Sequence, residues 1–143
     1  MPSYQTLDTI ADIYTPLLAI AALAVLLRPP GKLQWQVLGA RMARLAAGAL
    51  VAYGLMFLDN WLQVWPAFGM DYSTHTAVAL VLAMFIAVNA PKARWWCWIS
   101  LLAYAVLMLA QRYHTAADIV TTALAAGVLY LPAVMERKRA SAR

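Results

Sequence analysis

Five apolar runs, separated by polar or basic turns, dictate what this chain can fold into. They cover roughly residues 13–27, 33–58, 73–89, 95–110 and 115–134. Within each run apolar residues follow one another without the polar–apolar alternation of a barrel strand, so each run is expected to be a helix. Several fall short of the roughly 20 residues of a full bilayer span, which local thinning or a recessed polar pocket accommodates. The second run contains Arg41 and Arg44. Its first part is expected to lie along the interface or to snorkel these cations outward. The composition agrees with burial in lipid: 64% of residues are hydrophobic and 12% charged, against about half and a quarter in soluble domains. The expected fold is all-α, an integral membrane helical bundle of about five transmembrane helices, forming a single domain over residues 1–143.

The residues before the first run include Asp8 and Asp12 and no Lys or Arg, so they are not expected to be a signal peptide. The single cysteine, Cys97, excludes an internal disulfide and is expected to be a packing residue. No Cys/His cluster has zinc spacing, and no Gly-rich phosphate loop occurs. No metal and no cofactor are expected.

The net charge of +5 is a topology signal rather than a sign of nucleic acid binding. With five spans and a cytoplasmic C-terminus, Arg28, Lys32, Arg41, Arg44, Lys92, Arg94, Arg137, Lys138, Arg139 and Arg143 all fall on the cytoplasmic side. These are ten of the eleven Lys and Arg residues, as the positive-inside rule requires. The outer side collects Asp8, Asp12, Asp59, Asp71, His75, Arg112, His114 and Asp118. Trp61 and Trp65 are expected to mark the outer interface, and Trp35, Trp95, Trp96 and Trp98 the inner one. Residues 59–70 form the longest outer connection, a candidate lid or substrate rim. The expected location is the cell's inner (plasma) membrane, with membrane lipids as partners.

Ionisable residues at membrane depth are costly and mark function. Both histidines of the chain and the one outer cation share a side. His114 and Asp118 stand four residues apart, a spacing that on a helix puts the carboxylate within reach of the imidazole. Such a set suits phosphoryl transfer. One imidazole attacks phosphorus, the other protonates the leaving oxygen, and Arg112 holds phosphate oxygens. Ser73 and Thr74 are good cap residues for a helix whose N-terminal N–H groups also bind anions. Each residue also has a plainer reading. Arg112 suits an interfacial anchor, His114–Asp118 a simple helix-face pair, and Asp59 and Asp71 loop or cap positions.

Two motifs resemble those of the type 2 phosphatidic acid phosphatase superfamily, which includes membrane lipid phosphatases and a sphingomyelin-synthase branch. Ser73-Thr74-His75-Thr76 is similar to the family's Ser-Gly-His motif, with Thr in place of Gly. His114-Thr115-Ala116-Ala117-Asp118-Ile119-Val120 is similar to its His-x-x-x-Asp motif. Asp71 resembles the Asp that precedes Ser-Gly-His in the synthase branch. The resemblance covers about residues 70–130, in the family's order. It implies a nucleophilic role for His114, an orienting role for Asp118 and a general-acid role for His75. It also implies a phosphate cradle at Ser73 and around Thr74. The chain departs from the family in three ways. The outer Lys/Arg-Pro motif is absent, Arg28-Pro29 resembling only its tail on the other side. Met108 stands where the family has an Arg before the second motif. Five runs stand in place of six core spans.

The expected function is hydrolysis of a lipid phosphate at the non-cytoplasmic face through a phospho-histidine. The alternatives are head-group transfer between lipids on a phosphodiester substrate, with Asp12, Asp59 or Asp71 meeting a choline or ethanolamine cation, and a non-enzymatic membrane protein or scaffold with a His/Asp metal or proton site.

Overall fold

The computed structural model describes the backbone of residues 4–28 and 35–140 and the side chains of 9–28 and 35–135. The expected loop at Pro29-Pro30-Gly31-Lys32 and the cation Arg143 lie outside the described residues, as do the side chains of Asp8, Glu136, Arg137, Lys138 and Arg139. Five α-helices follow in order: α1 (Tyr4–Leu27), α2 (Trp35–Leu62), α3 (Thr74–Asn89), α4 (Arg94–Ala110) and α5 (Ala116–Ala140). Short 3-10 turns at Pro66–Phe68 and Pro91–Ala93 punctuate the α2–α3 and α3–α4 connections. No strand occurs among the described residues. α1, α2, α4 and α5 are long and apolar enough to cross a membrane, whereas α3 has 16 residues and is shorter. Ile20, Leu50, Phe57, Leu102 and Val128 stand on the outside, each more than half exposed. The bundle is that of a membrane protein.

α3 is the axis of the bundle, and each of the other four helices packs against it. Its sequence explains why. A helix that is apolar on all faces has none to offer to water and is buried by its neighbours. Ala77, Ala79, Ala83 and Phe85 are fully enclosed. The small side chains let neighbouring backbones approach closely. One core joins α1, α3 and α4 through Leu18, Ala22, Ala83, Phe85, Tyr104 and Met108, and takes in Cys97 as a packing residue. A second joins α2, α3 and α5 through Ala52, Ala77, Val81, Ala126 and Tyr130. At 1.5 Å per residue α3 is about 24 Å long, short of the about 30 Å of bilayer hydrocarbon.

The two arginines of α2 correct the expectation of an interfacial or outward-facing segment. α2 is one continuous helix, and both guanidinium groups turn into the bundle. Arg41, 2% exposed, donates to the Val25 carbonyl at 2.7 Å, and Arg44 donates to the Ala133 carbonyl at 3.2 Å. Val25 lies in the last turn of α1, where carbonyls lack intrahelical partners and the helix dipole favours a cation. The lipid interior leaves such carbonyls no water, which makes an inward guanidinium a better solution than a snorkelled one.

Gly48 marks the tightest helix approach. A Cβ there would meet the Tyr130 ring and Val81 Cβ at 3.2 Å. The Tyr130 hydroxyl crosses the same contact to bond the Arg44 carbonyl at 3.2 Å. Gly54, on the same helix, has open space around it. Gly48→Val is expected to cost about 1–3 kcal/mol through overpacking. Gly54→Ala is expected to be neutral or to gain up to about 1 kcal/mol in helix propensity. Thermal unfolding of both variants in detergent checks the contrast.

Candidate functional site

The starts of α3 and α5 and the turns before them meet at one end of the bundle. Ser73 is the N-cap of α3, and its hydroxyl accepts the Thr76 N–H at 3.3 Å. At α5 the Thr115 hydroxyl accepts the Asp118 N–H at 3.2 Å, and the Asp118 carboxylate accepts the Thr115 N–H at 2.7 Å. This reciprocal pair is a capping box with Asp in the place of the usual Glu or Gln. The other oxygen of Asp118 accepts the Asp71 N–H at 2.8 Å. One turn further along α5, Thr122 Oγ1 accepts the Ser73 N–H at 3.1 Å. Asp118 and Thr122 therefore lash the entry strand of α3 to the first turns of α5.

This arrangement corrects the expected helix-face pair. The capping box starts α5 at Ala116, so His114 precedes the helix and the four-residue spacing does not put it on one face with Asp118. Both Asp118 oxygens serve backbone N–H groups. His114 is half-buried, and its Nδ1 is shielded from solvent without a hydrogen-bond partner. Burial pushes the imidazole below its ordinary value of 6.5. The charges of Asp71 and then Asp118 oppose that shift, and His75 adds to it. His114, His75, Asp71 and Asp118 thus form one electrostatic unit, in which Asp71 exerts the largest charge effect on His114.

His75 is the second residue of α3 and is exposed. It lines a small cavity with Asp12, Tyr104 and Tyr113, of about 10 Å³, room for one water molecule. Ser73 is fully buried, and its hydroxyl lies 2.8 Å from Thr76 Oγ1. The first-turn N–H groups of Thr74 and His75, and of Ala116 and Ala117, have no intrahelical acceptor.

Arg112 and Asp59 are not among the charges that act on His114. Arg112 is exposed and lies in the left-handed region at φ 56°. The Arg112 N–H bonds the Leu109 carbonyl and the Tyr113 N–H the Met108 carbonyl, both at 3.1 Å. That pattern is a Schellman ending for α4, with Arg where glycine is usual. Asp59 is buried and accepts the Trp65 N–H at 2.8 Å.

The connection from Asp59 to Met70 is pinned rather than lid-like. Trp65 is 9% exposed, which corrects its expected place at the membrane interface. It donates from its indole to Thr121 Oγ1 at 3.0 Å and meets Tyr72 edge-on. Trp61, Trp35, Trp95 and Trp96 do face outward. The Tyr72 hydroxyl donates to the Ala52 carbonyl at 2.7 Å and is pushed up to about 12 by burial and by Asp59. Thr121 and Thr122 escaped the sequence reading. Their signal was two adjacent hydroxyls one turn after Asp118 in an otherwise apolar run. Among the described residues no three His, Cys, Asp or Glu side chains converge to hold a metal ion.

Comparison with protein-family models, with curated proteins and with solved structures gives no match.

Asp118→Ala would strip the Asp71 and Thr115 N–H groups of their acceptor. It is expected to cost about 1–3 kcal/mol for each group left unsatisfied, read as a lowered unfolding temperature. A second expectation concerns protonation. Folding lowers the His114 value, so the unfolded chain binds the extra proton first as pH falls below 6.5. The contribution of neutral His114 to stability is then lost from that point downward to its folded value. An NMR titration of His114 should give a midpoint under 6.5, and Asp71→Asn should lower it further by removing the charge that most favours the imidazolium.

Proposed function

We propose that the protein is a membrane lipid phosphatase in which His114 takes the phosphoryl group. The observation that carries this reading is the meeting of both histidines at two capped helix N-termini, one imidazole being kept neutral by burial. A neutral imidazole is the nucleophilic form. Unpaired first-turn N–H groups with the positive ends of two helix dipoles suit a phosphate. The resemblance of the Ser-x-His and His-x-x-x-Asp motifs to lipid phosphatase motifs supports the same chemistry.

In the proposed reaction a nitrogen of His114 attacks phosphorus. The bond from phosphorus to the lipid oxygen breaks, and protonated His75 gives its proton to that oxygen. Water then attacks the phospho-histidine, neutral His75 takes the water's proton, and inorganic phosphate leaves with His114 restored. Thr74 and His75 on α3, with Ala116 and Ala117 on α5, offer backbone N–H groups to the phosphate oxygens. The Ser73 hydroxyl holds the α3 cap. Asp71 tunes the imidazole, and Asp118 positions both helix ends. Arg28, Lys92 and Arg94 stand at the opposite end of the helices, which supports a non-cytoplasmic site by the positive-inside rule.

Head-group transfer is the second reading, favoured by one observation. Asp12 and Tyr113 are exposed at the rim of the water-sized cavity beside His75, and a carboxylate with an aromatic ring on the outer surface suits a choline or ethanolamine cation.

Purified protein is tested on lipid phosphates and phosphodiesters, with released phosphate and new lipids both measured. His114→Ala is expected to reduce turnover at least about 10³-fold and to abolish acid-labile phosphoprotein. His75→Ala is expected to reduce it about 10²–10⁴-fold. Arg112→Gly separates substrate binding from anchoring. Relief of the left-handed strain should hold or raise the unfolding temperature, by up to about 1 kcal/mol of stability, while KM rises if the guanidinium meets phosphate. Absence of turnover on every substrate in the folded, unmodified protein would refute the enzymatic reading.

A further inference from the structure

α4 and α5 hardly touch each other, although both pack on α3. A furrow of about 220 Å³ lies between them, with α3 as its floor. Thr76 and Leu80 form the floor, Leu102 and Ala105 line the α4 wall, and Ile119 and Ala123 line the α5 wall. Its upper end lies next to the candidate site, Thr76 following His75 on α3 and Ile119 following Asp118 on α5. Met108 lines both this furrow and the small cavity that holds His75.

We infer that this furrow receives the hydrocarbon chain of the phosphate-bearing lipid, entering sideways from the bilayer between α4 and α5. The inference rests on the lipid-phosphate reading of the site. Three observations single out a lipid chain as occupant. The walls are apolar. The head of the furrow lies beside the first turns of α3 and α5, at Thr76 and Ile119. Its depth also fits: from Met108 to Trp98 is ten residues of α4, about 15 Å of helix, which is half of the roughly 30 Å of bilayer hydrocarbon. A chain anchored by its phosphate at the site end would run down α4 and reach Trp98. Two other apolar furrows, of about 370 Å³ between α1 and α4 and about 350 Å³ between α1 and α2, are larger. Neither includes a residue next in sequence to His75, His114 or Asp118.

A long-chain alkyl monophosphate carrying a photoreactive diazirine tests the inference on the full chain in detergent. With the diazirine near the chain end, labelling is expected at Trp98, Leu101 or Leu102. With it near the phosphate, labelling is expected at Met108 or Ile119. Both should be competed away by excess unlabelled alkyl phosphate. Labelling that centres on Ile13 and Leu17, or that does not saturate, would overturn the inference in favour of another groove or of bulk lipid. Ala123→Phe, and independently Ala105→Leu, should lower turnover of the long-chain phosphate about tenfold or more while sparing p-nitrophenyl phosphate. Equal loss on both esters, or no loss on either, also counts against it. If the unmodified protein turns over neither ester yet labels saturably in the furrow, the phosphatase reading fails and the furrow stands as a lipid site.

Discussion

The carboxylate of Asp118 is the interaction on which the site depends. It closes the capping box that starts α5 and, with its second oxygen, holds the Asp71 N–H at the approach to α3. A carboxylate suits both tasks, because each of the two backbone donors, from different segments, takes its own oxygen. The charge also lies at a helix N-terminus, where it is favoured. His114, immediately before the cap, and His75, just inside α3, owe their shared location to that bridge. Neither histidine is positioned by a hydrogen bond from Asp118 itself, so a loss of activity on replacing Asp118 would report misplaced helix ends as much as altered imidazole chemistry.

The short, enclosed α3 gives this bridge its setting. A helix of 16 residues cannot match the reach of α2, with 28. Its start is reached by the segment 63–73, which Trp65, Tyr72 and Asp59 fasten to α2 and α5. Buried polar groups in a lipid-facing bundle need partners within the protein. The hydroxyls of Thr121 and Thr122 meet that demand from inside an apolar helix. The same bonds tie the segment to α2 and α5.

The helices were legible in the sequence because continuous apolar runs leave few other options in a chain so poor in charge. A boundary was legible where a cap was written into the sequence, as at Ser73. The gathering of His75, His114, Asp71 and Asp118 at one end was legible from the alternation of spans alone. Side-chain direction was not. Arg41 and Arg44 were expected to seek the membrane surface and instead turned to helix carbonyls. Trp65 was expected in an interface belt and instead filled the bundle. Asp118 was expected to serve His114 and instead served two backbones. In each case the competing partner lies far away in sequence or on the main chain, where residue type and spacing carry no signal.

The charge balance bears on what this site can accept. Among the described residues, four carboxylates, of Asp12, Asp59, Asp71 and Asp118, lie toward the site end, against the one exposed guanidinium of Arg112. Asp59 and Asp118 are occupied by backbone donors, but Asp12 and Asp71 are exposed. Positive potential must therefore come mainly from helix N-termini, each equivalent to about half an elementary charge. That supply suits a phosphate ester of low charge and disfavours a diphosphate, for which repulsion from Asp71 would grow with each added charge. The same acids cease to be a burden if the substrate carries its own cation next to the phosphate. A zwitterionic head group would place its ammonium near Asp12 and Tyr113 and its phosphorus at the helix ends. Under the proposed phosphoryl-transfer reading, the distribution of charge thus favours substrates of small net charge, whether water or a lipid hydroxyl is the acceptor.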